Sequence, residues 1–267
     1  MKIYAAVLKL RLLIGMQYRA AALAGVATQF FWGFISIMVF VAFYEFTTVT
    51  PPISLKELIT YIWLQQAFLA FVMLWFRDNE LFDLITSGNI AYELCRPADL
   101  YGFWYAKLLA QRLSSALLRC YPILIVAFFL PKPYNMTFPP NGTTFLLFVI
   151  TLLVGLLLLV AISMFLYISV FVTLSPMGSL LIFGVLGEFF AGLIIPIPLM
   201  PLWLQKIAYV LPFRWTADFP FRVYSGHIAQ TEALIGIFIQ LGYLIGLLWL
   251  GKLALNAVLK RVVVQGG

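Results

Sequence analysis

Apolar positions in this chain are not spaced out at a helix or strand period; they run together. Runs near 20 residues with few charges extend from Ala20 to Tyr44, Leu58 to Phe76, Phe145 to Thr173 and Ala233 to Asn256. A 20-residue helix rises about 30 Å, the hydrocarbon thickness of a bilayer. Two weaker runs join them. Ala116 to Leu130 carries Arg119 and Pro122, and Ser179 to Ile195 is short, contains Glu188 and stops at the proline-rich PIPLMP, Pro196 to Pro201. Lipid offers no partner to a bare backbone, and none of these runs alternates like a barrel strand, so the pattern predicts an all-α integral membrane protein with six transmembrane helices.

Before the first run, MKIYAAVLKLRLLIGMQYRA places Ile3, Val7, Leu10 and Ile14 on one side at helical spacing, with Lys2 and Lys9 beside them. That predicts an interfacial helix, although Arg11 spoils the division. Lys9, Arg11 and Arg19 interrupt any signal-peptide core, so the first run is expected to stay as a span.

Composition agrees with the pattern. Of 267 residues 64% are hydrophobic and only 10% charged, more apolar than a soluble core of this length needs. The net charge of +7 reads as topology. Ten basic residues fall before the first span, between the second and third, or after the last; five (Lys56, Lys132, Lys206, Arg214, Arg222) fall on the other side. Both termini should therefore face the cytoplasm, with the chain crossing the membrane several times. Basic residues scattered over short loops form no nucleic-acid stripe. Cys95 and Cys120 belong to a reducing compartment and make no zinc site, and lone His227 reads as an interfacial polar residue.

Sequence chemistry is sparse. GLLWLGKL, Gly246 to Leu253, fits part of a phosphate-binding loop, but Leu253 stands where the magnesium-binding Ser or Thr belongs and the segment lies inside an apolar run. No catalytic set or metal-ligand cluster is present, and this chain is expected to bind no cofactor. Gly242 and Gly246 have the spacing of a close helix contact, and Asn135 and Asn141 head glycosylation-type triplets. Glu188, with Phe189 and Phe190 beside it, is costly inside an apolar span and marks either a translocation path or subunit interface, or a polar contact that pins a helix pair. Arg112 and Arg119 share a helical face, where Arg119 is expected to snorkel.

Between the second and third runs, Arg77 to Arg112 gives 36 residues with five acids. Asp78 to Thr86 has Leu81, Leu84 and Ile85 at helical intervals among acids. Ser87-Gly88-Asn89 breaks that helix, and Arg96-Pro97 forces extended backbone before Asp99 caps the next helix at Leu100. This insert suits docking into a groove of a soluble partner or resting on lipid headgroups. On the other side, prolines 196, 198, 201, 212 and 220 exclude one continuous helix. A re-entrant helical hairpin is expected there, anchored at the interface by Trp203, Tyr209, Trp215 and Tyr224, and Pro196, Pro198 and Pro201 would form an outer gate or a cap.

With SGNIAYELCRPADLYGFWYAK and LPFRWTADFPFRVYSG, the chain resembles the membrane subunits of type-2 ATP-binding cassette (ABC-2) exporters of bacteria, over nearly its whole length. The resemblance implies one transmembrane domain: interfacial helix 1–19, spans one and two in 20–76, coupling insert 77–112, spans three to five in 113–196, re-entrant segment 197–231, and the sixth span with a cytoplasmic tail in 232–267. It implies a second permease chain, identical or paralogous, and cytoplasmic ATPase subunits that hold the ATP and Mg. Leu81, Phe82 and Ile85 would insert into the ATPase, Glu80 or Asp83 would make charged contacts, and the first and fifth spans would line the exit for a drug, antibiotic, peptide or lipid-like cargo. Rival readings are an ion-driven secondary transporter, which would need acids in several spans and an internal repeat, and a non-transporting assembly factor.

Overall fold

The computed structural model describes residues 2–17 and 19–261, and the C-terminal tail from 262 lies outside the described residues. All regular structure among them is helical. Four helices are long and apolar enough to cross a membrane: α2 (Arg19–Phe46), α7 (Leu100–Phe129), α8 (Gly142–Thr173) and α12 (Gln230–Leu259). The other two expected spans are shorter. The run Leu58 to Phe76 folds as α3 (Leu55–Ala67), a single further turn α4 (Leu69–Val72), and then non-helical backbone, extended at Met73 (φ −92°, ψ 125°) and turning at Leu74–Trp75. The run Ser179 to Ile195 folds as α9 (Pro176–Phe190), closed by a turn with Gly192 at φ +79°.

Local signals set most helix starts. Ser54 and Glu57 form a reciprocal capping box on α3, Asp99 accepts the Gly102 N–H at 2.8 Å on α7, and Ser175 caps α9 with Pro176 in the first turn. Asn141, head of one glycosylation-type triplet, is the N-cap of α8 and accepts from Thr144 N at 2.8 Å and from Gln230 at 3.0 Å.

α8 is the central element. Leu158, Val160, Ala161 and Met164 have no exposed surface. α12 runs beside it in the same direction, since Gln230 meets Asn141 and Gln240 donates to the Thr151 carbonyl at 3.0 Å. Close approach along α12 depends on Gly236 and Gly251, where a Cβ would strike the rings of Phe219 and Tyr101; Gly242 and Gly246 meet nothing among the described residues.

The N-terminal helix α1 (Lys2–Gly15) lies along the first half of α7, with the Tyr4 hydroxyl on the Asp99 N–H and Gly15 against Ser114. The face turned to α7 carries Tyr4, Val7, Leu8, Arg11 and Leu12. Of the expected apolar stripe, Ile3, Leu10 and Ile14 are instead exposed. The helix has two apolar sides, and Arg11 belongs to the one facing protein because it has a carboxylate to meet there.

Candidate functional site

The insert folds as its punctuation requires. α5 (Asn79–Thr86) has Asp78 as N-cap, accepting from Glu80 N at 3.0 Å. Gly88 turns at φ +76°, α6 (Ile90–Leu94) follows, and α7 begins after Asp99. The apolar stripe of α5, however, is turned inward. Leu81, Phe82 and Ile85 are buried, with the Phe82 ring 4.7 Å from that of Tyr167 on α8. This corrects their expected role as residues inserted into a partner. Each buried side chain of this size contributes about 1.5–3 kcal/mol, and that stabilisation already serves the bond between insert and bundle. The outward face carries Asp83, Thr86, Asn89 and Tyr92, the last 74% exposed.

Glu80 is likewise engaged within the chain. Its carboxylate receives Arg11 of α1 and Lys107 of α7 at 2.9 Å, and Lys107, nearly buried, also lies 3.4 Å from Asp78. Burial acts to raise the Glu80 carboxyl, but hydrogen bonds from Arg11 and Lys107 outweigh it and hold the group below the ordinary carboxylate range. One knot of two cations and two anions thus ties α1, α5 and α7 together. Asp83 carries no such partner among the described residues and is free to meet another chain.

Above this knot lies the interruption of the second hydrophobic run, which contains neither proline nor glycine. Its carbonyls are taken by Arg112 of α7, 1% exposed. One Nη donates to Ala70 O at 3.1 Å and Met73 O at 2.8 Å; the other donates to Phe76 O at 3.0 Å and to Ser163 Oγ of α8 at 3.1 Å. Gln111 donates to Arg77 O at 3.2 Å, and the Asp78 N–H donates to the Tyr167 hydroxyl at 2.7 Å. The non-helical link from Met73 to Asp78 is therefore bonded to α7 and α8 at Met73, Phe76, Arg77 and Asp78. Arg119, by contrast, packs on Gly25 of α2.

At the opposite end of the bundle, α9 ends in the turn at Ala191–Gly192, followed by a 3-10 turn (Ile197–Leu199), α10 (Leu202–Val210), a second 3-10 turn (Pro212–Thr216) and α11 (Asp218–Tyr224). Phe189 and Phe190 pack on a small cluster of Ile197, Met200 and Ala208, apart from the main core. Pro196 and Pro198 are buried beside it, and Pro201, exposed, caps α10. Trp203 and Tyr209 stand exposed as anchors would. Trp215 and Tyr224 are instead buried in the main core, because α11 packs on α8 with Tyr224 edge-on to Phe148.

Glu188 is half-buried in α9, with one carboxylate oxygen buried and unpartnered among the described residues; the Trp75 indole packs on the same helix at Gly184. The charges that pin helices here lie elsewhere. Asp218, fully buried, pairs with Arg222 at 3.2 Å, while Arg214 stacks between Tyr209 and Trp215 at 4.2 and 4.4 Å. The Asp218 N–H donates to Ala191 O at 3.2 Å, Tyr61 to Gly192 O at 3.0 Å and Gln65 to Leu193 O at 2.7 Å. His227 lies 3.8 Å from Glu57; burial, with Arg222 nearby, lowers its pKa, so the imidazole is neutral at pH 7. Among the described residues no three His, Cys, Asp or Glu side chains converge on a metal site. Comparison with family models, with curated proteins and with solved structures finds no match for this chain.

Proposed function

We propose that this chain is the permease subunit of an ATP-driven exporter of the ABC-2 type. In this reading the chain spans the bacterial inner membrane six times with both ends in the cytoplasm; the short α3–α4 and α9 segments are the second and fifth spans. The chain pairs with a second permease, and cytoplasmic ATPase subunits bind ATP and Mg while the chain itself does no bond chemistry. The observation that carries the reading is the bonded link from Met73 to Asp78. A push on the insert passes through Arg112, Ser163 and Tyr167 into α7 and α8 as a shift of a rigid group rather than the bending of a loop. The apolar faces of α2 (Phe31, Met38, Phe43) and α9 (Ile182, Val185) stay uncovered within one chain and suit a lining completed by the second permease for hydrophobic or amphipathic cargo. Glu188 sits on that lining.

The ATPase contact falls on Asp83, Thr86, Asn89 and Tyr92. Affinity purification in mild detergent is expected to bring down a chain with a complete nucleotide-binding loop, and Asp83→Arg with Tyr92→Asp is expected to reduce its recovery about tenfold or more, as loss of an interface anchor does. The double variant should remain monodisperse. Undiminished recovery refutes the contact face, and the absence of any nucleotide-binding chain with the wild type refutes the exporter reading.

Orientation is tested through the two cysteines, Cys95 exposed and Cys120 buried. A membrane-impermeant maleimide is expected to label Cys95 in inside-out vesicles and to leave intact cells unlabelled. Labelling of Cys95 in intact cells inverts the topology and removes the ATPase from reach.

A further inference from the structure

We propose that the groove between α7 and α8, together with the chamber adjoining it, binds one anionic phospholipid of the bilayer. The groove is a cavity of about 800 Å³, within the range of ligand sites. Its walls are apolar, with Leu117 and Leu124 of α7 facing Phe145, Val149 and Leu153 of α8. Both walls belong to helices long and apolar enough to cross a membrane, so a lateral opening between them meets hydrocarbon. An acyl chain fills such a space without stripping water from any polar group.

The groove does not end blindly. Phe128 and Phe138 stack at its end, ring centroids 4.3 Å apart and 15° from parallel. A second chamber of about 600 Å³ shares Phe128, Met136 and Phe138 with the groove and adds Lys56 and Lys132. Neither lysine is in an ion pair among the described residues. The acid next to Lys56 is already committed, since Glu57 accepts from the backbone and hydroxyl of Ser54 at 2.8 and 2.7 Å. Among the described residues no carboxylate lines the chamber. An apolar slot that continues past an aromatic pair to two unneutralised cations complements an amphiphile whose tail lies in hydrocarbon and whose head carries a phosphate. The site rests on embedding in a membrane and not on the exporter reading, so failure to capture an ATPase leaves it standing.

Native mass spectrometry of the full chain, delipidated in a neutral detergent and titrated with phosphatidylglycerol or with phosphatidylcholine of the same acyl chains, tests the site. The wild type is expected to hold one phosphatidylglycerol with at least about a tenfold preference over phosphatidylcholine. Lys56→Gln with Lys132→Gln changes only exposed side chains and is expected to weaken phosphatidylglycerol about thirtyfold, each lysine at a membrane surface being good for roughly fivefold, while phosphatidylcholine is unaffected. Leu117→Trp with Leu153→Trp fills the groove from partly exposed positions and is expected to weaken both lipids. Equal binding of the two lipids by the wild type, or unchanged phosphatidylglycerol binding by the lysine variant, overturns the proposal. Displacement of the lipid by glycerol phosphate at equal concentration, or unchanged binding by the tryptophan variant, overturns the assignment of the groove to the acyl chain.

Discussion

Replacing Arg112 with Met is expected to lower the thermal unfolding midpoint of the detergent-purified protein by about 10 °C and to raise hydrogen exchange through residues 73 to 78. Three main-chain carbonyls, Ala70, Met73 and Phe76, have this one guanidinium as their donor, and Ser163 is held by the same group. A hydrogen bond from a charged donor contributes about 1.5–3 kcal/mol, and an orphaned buried acceptor costs a further 1–3. Against that stands the relief of no longer burying an arginine without a carboxylate. The balance comes to about 3–5 kcal/mol, which at roughly 2–4 °C per kcal/mol for a chain of this size gives the stated shift. Arg112→Lys should rescue little, because one ammonium on a flexible stem cannot serve acceptors that the planar fork reaches in two directions. A midpoint within about 3 °C of wild type, with unchanged protection of residues 73 to 78, would show that the link holds its shape without this side chain.

The same arginine explains why the break in the second apolar run is not legible in sequence. Nothing between Leu58 and Phe76 breaks a helix locally, and the break becomes affordable only because donors arrive from α7, some 40 residues later. Where punctuation is local, the chain is legible. Gly88 and Asp99 mark the insert's turns by composition alone, and the structure places a left-handed turn and a helix cap at those residues. Amphipathic periodicity is legible only by half. It places Leu81, Leu84 and Ile85 on one face, but the surface covering the buried side of this helix, Tyr167 and its neighbours on α8, is a tertiary fact, and the stripe reads equally well as a docking edge.

Small and aromatic residues carry a similar ambiguity. Gly242 and Gly246 have the spacing of a packed pair and meet nothing among the described residues, whereas Gly236 and Gly251 admit the rings of Phe219 and Tyr101 without any motif to announce them. Trp215 and Tyr224 look like interface anchors by residue type and position, yet they fill the core beside α8. Asp218 and Arg222, four apart in an apolar stretch, are the available signal for the buried pair, but the prolines at 212 and 220 place them outside any continuous span, where an acid does not by itself signal burial.

Removing that acid carries the other large expected effect. Asp218→Ala leaves Arg222 buried without a counter-charge and Arg214 with one fewer anion nearby; breaking one half of a buried pair costs about 3–5 kcal/mol. Deleting both charges, as Asp218→Leu with Arg222→Leu, should recover much of that loss, since a well-packed apolar pair avoids desolvation altogether. The difference between the double variant and the summed single variants measures the coupling directly. The stake is larger than one ion pair. The backbone of Asp218 holds Ala191, and Tyr61 and Gln65 hold the two residues that follow, so the helix start that carries this pair also holds the end of α9, where the segment bearing Pro196, Pro198 and Pro201 begins. In the single variant that whole segment, residues 191 to 224, is expected to gain proteolytic sensitivity ahead of global unfolding. If Asp218→Ala unfolds within about 1 kcal/mol of wild type, the carboxylate is solvated in the folded protein and the turn at Ala191–Gly192 is held by its main-chain bonds alone.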